Sequence, residues 1–108
     1  MILEIPLQAT PNQKLSIDLN GQNTEICIRQ IGNAMMATLK VDDEIVFENS
    51  ICGHLAPLGQ FGTVLFSGLL VFIDQLDTLD PVWNGLGERF KLFYFSEDEA
   101  FYKALAER

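Results

Sequence analysis

The sequence predicts a mostly β fold, a small antiparallel β-barrel or a two-layer sandwich, with a short C-terminal α-helix. Three observations predict it. From Leu3 to Phe47, apolar and polar residues alternate in short runs, the period-two pattern of strands with one buried face. Turn-forming pairs separate those runs: Asn20-Gly21, Gly32-Asn33 and Asp42-Asp43. Beyond Phe95 the apolar period lengthens to that of a helix.

Taken in order, Leu3, Ile5 and Leu7 alternate with Glu4 and Pro6, and the proline points to an edge or a strand end. Thr10-Pro11-Asn12-Gln13 reads as a turn. Leu15, Ile17 and Leu19 form a second strand, and Asn20-Gly21 supplies the positive φ angles of a tight hairpin. In the third strand Ile26 and Ile28 face inward, with Glu25, Cys27 and Arg29 outward. After Gly32-Asn33, Met35, Ala37, Leu39 and Val41 alternate with Met36, Thr38 and Lys40. A fifth strand runs from Ile45 to about Ile51, so the first half reads as an antiparallel meander.

The middle is less regular. Gly53, Pro57, Gly59, Gly62 and Gly68 suggest bends or bulges. Thr63 to Phe66 and Leu69 to Gln75 look like strands. Leu69-Leu70-Val71-Phe72-Ile73 is continuously apolar, as in a strand buried on both faces. Residues 76–88 form a long loop before a last strand, Arg89 to Phe95. That strand places Phe90, Leu92 and Tyr94 on one face. Lys91, Phe93 and Phe95 lie on the other, to be covered by the chain's own helix or by a partner. Ser96 with Glu99 is a capping-box signature, opening a helix over about 97–107 with Ala100, Phe101, Ala104 and Leu105 on one face. The whole, residues 1–108, fits one β-rich domain with its strands over about 2–95.

Composition narrows the function. Hydrophobic residues make up 48% and charged residues 20%, as in a folded globule. The net charge of −8 opposes binding to nucleic acid or to an anionic membrane surface. Eight Phe against two Tyr and one Trp make an aromatic set with few polar handles, fit for a core or for a surface that a partner covers. Met1 to Pro6 has neither the basic nor the apolar region of a secretory signal, and the apolar run at Leu69–Ile73 is too short to cross a bilayer. A soluble protein made in the cytoplasm is expected, with Cys27 and Cys52 as free thiols.

No constellation carries convincing chemistry. His54, Ser50 and one of Asp74, Asp77 or Asp80 could be drawn as a triad, but no nucleophile-elbow pattern surrounds a serine. The three aspartates lack the ligand alternation and glycine of a calcium loop, and Asp80-Pro81 reads more simply as a turn starter. Two cysteines and one histidine do not fill a zinc site. Gly85-Leu86-Gly87 leads into a strand, so it serves a bend rather than a phosphate. Cys27 shares a face with Arg29, a weak setting for a reactive thiol. Neither a catalytic residue nor a metal or other cofactor is expected.

One phrase is distinctive: Asp80-Pro81-Val82-Trp83-Asn84-Gly85-Leu86-Gly87-Glu88-Arg89-Phe90-Lys91-Leu92-Phe93-Tyr94. Gly68-Leu69-Leu70-Val71-Phe72-Ile73-Asp74 precedes it, and Ile5-Pro6-Leu7 and Asn20-Gly21-Gln22 fit the same pattern. Together they resemble the small phage baseplate plug family of contractile-tailed phages and prophages. The resemblance covers nearly the whole chain and is strongest from Leu70 to Tyr94. Asp42-Asp43-Glu44 departs from it, standing where an Asp-Gly turn would be expected, and Gly53 to Gln60 lacks the Arg and Tyr residues associated with that region. The resemblance implies a structural part of the virion's tail baseplate with no catalytic residues. Its partners would be hub, spike or tail-tube proteins, and its copies would form a homo-oligomer arranged by tail symmetry.

Aromatic residues and arginine dominate interface energetics, so Trp83, Phe93 and Phe95 are the expected partner contacts, with Arg89 as an anchor. The competing expectation folds Trp83 onto its own core and covers Phe93 and Phe95 with the helix. Two other functions stay open at this point. One is a small β-domain binding a small ligand or carbohydrate near Trp83. The other is an enzyme using His54 with Asp74, Asp77 or Asp80.

Overall fold

A computed structural model describes residues 1–59 and 66–106. Among the described residues seven strands form two antiparallel sheets: β1 (Ile2–Ile5), β2 (Asn12–Leu19), β3 (Gln22–Ile31), β4 (Ala34–Val41), β5 (Glu44–Ile51), β6 (Leu69–Asp74) and β7 (Phe90–Phe95). One sheet has the order β2-β3-β4-β5 and the other β1-β7-β6. Neither closes on itself, so of the two expected architectures the sandwich is correct and the barrel is not. A barrel would need β2 or β5 to continue its hydrogen bonds into the three-stranded sheet. Instead the two sheets meet face to face through side chains.

The alternation seen in the sequence is what fills the space between them. Leu19, Ile26, Ile28, Met35, Ala37 and Leu39 point inward from the four-stranded sheet. Ile5, Leu70, Phe72, Phe90, Leu92 and Tyr94 meet them from the other. Burying one such side chain contributes about 1.5–3 kcal/mol, so this interior is the main force holding the sheets together. Thr24, buried among them, keeps its hydroxyl satisfied by donating to the Ile17 carbonyl.

The meander has the tight turns expected of it but lacks its expected first strand. Asn20 and Gly21 both take positive φ, 56° and 83°, as a two-residue hairpin turn requires. Asp42 and Asp43 do the same at 50° and 66°, without a glycine. The first strand, however, is not part of the meander. β1 pairs with β7, Ile2 opposite Phe95 and Ile5 opposite Leu92, after which Pro6 and Leu7 lead the chain across to the other sheet. The register of β4 on β5 shifts around Leu39, and the Asn49 amide turns to the Thr38 hydroxyl at 3.0 Å.

β6 is buried on both faces, as its apolar run predicts. Leu70 and Phe72 enter the core between the sheets, while Leu69 and Val71 enter a second cluster with Phe95, beside Phe93, Phe101 and Tyr102. The outer edge of β6 is covered by residues 54–58, where the Leu55 amide donates to the Phe72 carbonyl at 2.8 Å and the Leu58 amide to Leu70 at 2.9 Å. Of the expected strand from Thr63 to Phe66, residues 63–65 lie outside the described residues. The last strand begins one residue later than expected, at Phe90.

The C-terminal helix α1 spans Ala100–Ala106, later than the expected start near residue 97. The Ser96–Glu99 box does not cap it. Ser96 is still tied to the sheet, its amide donating to the Met1 carbonyl at 2.9 Å and its hydroxyl to the Asp98 carboxylate. The Glu99 carboxylate meets the Met1 amino group instead of turning back to Ser96. Of the expected face, Phe101 packs on the sheet, joined by Tyr102, while Ala100 and Ala104 are exposed and the Leu105 side chain lies outside the described residues.

Candidate contact surface

The connection from β6 to β7 is fixed by one ion pair. Asp74 ends β6, and Arg89 stands directly before β7, so the strand register that sets Asp74 opposite Phe90 also brings the two charges together. Arg89 Nε and a terminal guanidinium nitrogen donate to the two carboxylate oxygens of Asp74 at 2.8 and 2.9 Å. This is the bidentate fork that suits arginine and a carboxylate. The same carboxylate accepts the Leu76 and Leu79 amides, each at 3.0 Å, winding the first turn of the loop around a wholly buried side chain. The guanidinium and these amides hold the Asp74 carboxyl well below the usual carboxylate range. Arg89 in turn has its pKa raised by the hydrogen-bonded Asp74, and its guanidinium lies 5.0 Å from the centre of the Phe90 ring.

A second layer of bonds ties the neighbouring segment to this loop. The Asp74 amide donates to His54 Nδ1 at 3.0 Å, and the His54 amide donates to Asp80 Oδ1 at 3.1 Å. The Gln75 amide reaches the Arg89 carbonyl at 2.8 Å. The triad drawn from the sequence therefore does not assemble. His54 Nδ1 accepts from main chain, Asp74 is paired with Arg89, and Ser50 Oγ accepts the Gly59 amide at 2.8 Å. Asp77 and Asp80 are exposed, and among the described residues no three His, Cys, Asp or Glu side chains are placed to hold a metal.

The far half of the loop turns back through a 3-10 turn, Trp83–Gly85, and Leu86 plugs into the core. Gly87 follows at φ 83°, and a Cβ there would stand 2.4 Å from the Leu7 carbonyl oxygen. That close approach to backbone is what Gly85-Leu86-Gly87 serves, as the bend reading expects. Trp83 stays partly exposed, lining an open groove of about 420 Å³ whose other walls are Gln30, Gly32, Asn33, Val82 and Asn84.

The four expected contact residues are thus placed differently from one another. Trp83 is presented outward. Arg89 is only part-exposed, and its charge is spent on Asp74. Phe95 is buried and stacked on Phe101, ring centres 4.9 Å apart, and Phe93 is half-buried beside it. Sequence reasoning missed the partnership of Asp74 with Arg89. Its signal was an acid closing one apolar strand and a base opening the next.

The cysteines are both free. Cys52 is buried in the core, and burial pushes its thiol up to about 12. Cys27 is half-buried on the outer face of the four-stranded sheet, in a shallow depression with Lys14, Arg29 and Lys40. No helix among the described residues is long and apolar enough to cross a membrane.

Among curated proteins no match to the chain is found. The family model described as cyanophage baseplate Pam3 plug gp18 matches residues 2–97, from the start of β1 to just beyond β7, and the chain belongs to this phage baseplate plug family.

Proposed function

We propose that the chain is a structural component of a phage or prophage tail baseplate, a hub or plug protein that acts by packing against its neighbours. Membership in a baseplate plug family supports a place in the virion tail, contact with other baseplate proteins and a role other than enzymatic. The observation that carries the packing role is the β6–β7 loop. Its base is locked by the pairing of the buried Asp74 carboxylate with the part-exposed Arg89, while Trp83 is left partly open to solvent. Ordering a loop in advance lowers the entropy lost on binding, so a rigid loop with an exposed indole is suited to contact.

In this reading the chain acts as one β-rich unit facing hub, spike or tail-tube proteins, in copies set by the tail's symmetry. Trp83 makes direct contact. Arg89 acts through Asp74 by holding the loop, and Phe93 and Phe95 contribute at the margin of the helix that covers them. Light scattering on a sizing column tests it, with the protein alone and mixed with purified hub, spike and tube proteins of the same tail. A stable complex with at least one of them is expected. A chain that ignores every one would end the reading.

A further inference from the structure

Exposed apolar side chains concentrate around the same loop. Leu76 is 78% exposed, Leu79 53%, Val82 41% and Trp83 39%. These four large apolar residues lie within eight consecutive positions whose first turn is wound on a buried carboxylate. Leu55, 46% exposed, lies on the neighbouring segment, which is pinned to the loop through His54, Asp74 and Asp80.

Leu55 is also conformationally costly. Its φ is 57°, in the left-handed region that leucine disfavours and that glycine or asparagine would occupy with less strain. A side chain that is both strained and half in water adds little to the monomer. Strain of this kind concentrates where a residue serves something outside the fold.

We infer that Leu55, Leu76 and Leu79 extend the Trp83 surface into one preorganised docking corner, and that its occupant is a different baseplate protein offering an apolar pocket rimmed by lysine or arginine. This rests on the packing role proposed above. The charge of the loop names the partner's chemistry: residues 75–88 contain Asp77, Asp80 and Glu88 and no lysine or arginine. The Arg89 that follows is already neutralised by Asp74. Two copies of this chain meeting corner to corner would bring like charges together, which is costly at an interface. The depression on the outer face of the four-stranded sheet, where Lys14, Arg29 and Lys40 stand beside Glu25 and Glu48, is lined by charged and polar side chains except for Cys27, a poor seat for the leucines.

The test measures affinity for whichever purified baseplate protein of the same tail binds the intact chain, together with the thermal midpoint of each variant. Leu76→Ser with Leu79→Ser should weaken binding about tenfold or more while leaving Tm near wild type, because both side chains are exposed. Leu55→Asn should weaken binding while leaving Tm equal to wild type or higher, a combination a merely structural role would not give. Glu88→Lys should weaken binding, and more so at low salt. Wild-type affinity in all the leucine variants would overturn the docking corner while leaving the packing role standing. Absence of any bound baseplate protein would overturn both. Self-association that Leu76→Ser and Leu79→Ser abolish, or tighter binding by Glu88→Lys, would overturn the choice of occupant.

Discussion

Gly87 and Gly21 share the same positive φ, 83°, and differ in what lies beside them. An added Cβ at Gly21 would meet nothing within 4 Å, whereas at Gly87 it would stand 2.4 Å from the Leu7 carbonyl oxygen. Alanine at either position incurs the penalty of a positive φ, about 1 kcal/mol. At Gly87 it must also force the segment after β1, at Leu7, away from the β6–β7 loop, and overpacking of that kind costs about 1–3 kcal/mol more. The expected losses are therefore about 1 kcal/mol for Gly21→Ala and roughly 2–4 kcal/mol for Gly87→Ala. In a domain of this size 1 kcal/mol corresponds to about 4–8 °C, so Gly87→Ala should lower Tm by roughly 8–32 °C. Thermal melts followed by circular dichroism measure both. Equal shifts for the two variants would refute the claim that Gly87 is fixed by the backbone beside it.

Three further outcomes follow from the same geometry. Asp74 has a folded pKa depressed below its ordinary 3.8, so the stability from its ionised form is complete above that value and is lost as pH falls towards the folded pKa. Wild type should lose Tm steeply below about pH 4, and Asp74→Asn, less stable at pH 7, should show a shallower acid limb in melts across pH. Mass spectrometry after iodoacetamide treatment at pH 8 should find native protein alkylated at Cys27 alone, and Cys52, whose thiol is raised to about 12, modified only after unfolding. Asp43→Gly, at a residue with φ 66°, should relieve local strain and stabilise the β4–β5 hairpin by about 0.5–1 kcal/mol, read as a higher urea midpoint with an unchanged slope.

What the sequence showed was what is local. Leu15, Ile17 and Leu19, or Met35, Ala37 and Leu39, announce a strand because one face of an antiparallel sheet is dry and the other wet. Asn20-Gly21 announces its turn because few residues accept those angles. The choice between sandwich and barrel was not legible, since it depends on whether edge strands from distant parts of the chain hydrogen-bond, and no residue encodes that alone. The pairing of β1 with β7 was hidden for the same reason: Ile2 and Phe95 find each other only through the completed core.

The candidate site divides along the same line. Trp83 could be singled out by type, and the bend at Gly85 to Gly87 by composition. Asp74 and Arg89 were each read singly, the one as a doubtful metal or triad residue and the other as a partner anchor, because their meeting depends on the β6–β7 register. The capping-box residues misled through competition: Ser96 is claimed by the sheet edge at Met1 before it can start a helix. Leu55 carried no sequence signal, since a leucine in a left-handed backbone is identifiable only once the backbone is known.

The most direct measurement is an electron cryo-microscopy reconstruction of the tail that carries this chain. The expected result is density for the β-sandwich within the baseplate, with residues 76–83 and Leu55 enclosed by a different protein. A baseplate without this chain, or a chain seated there with Leu76, Leu79 and Trp83 turned to open solvent, would contradict the account.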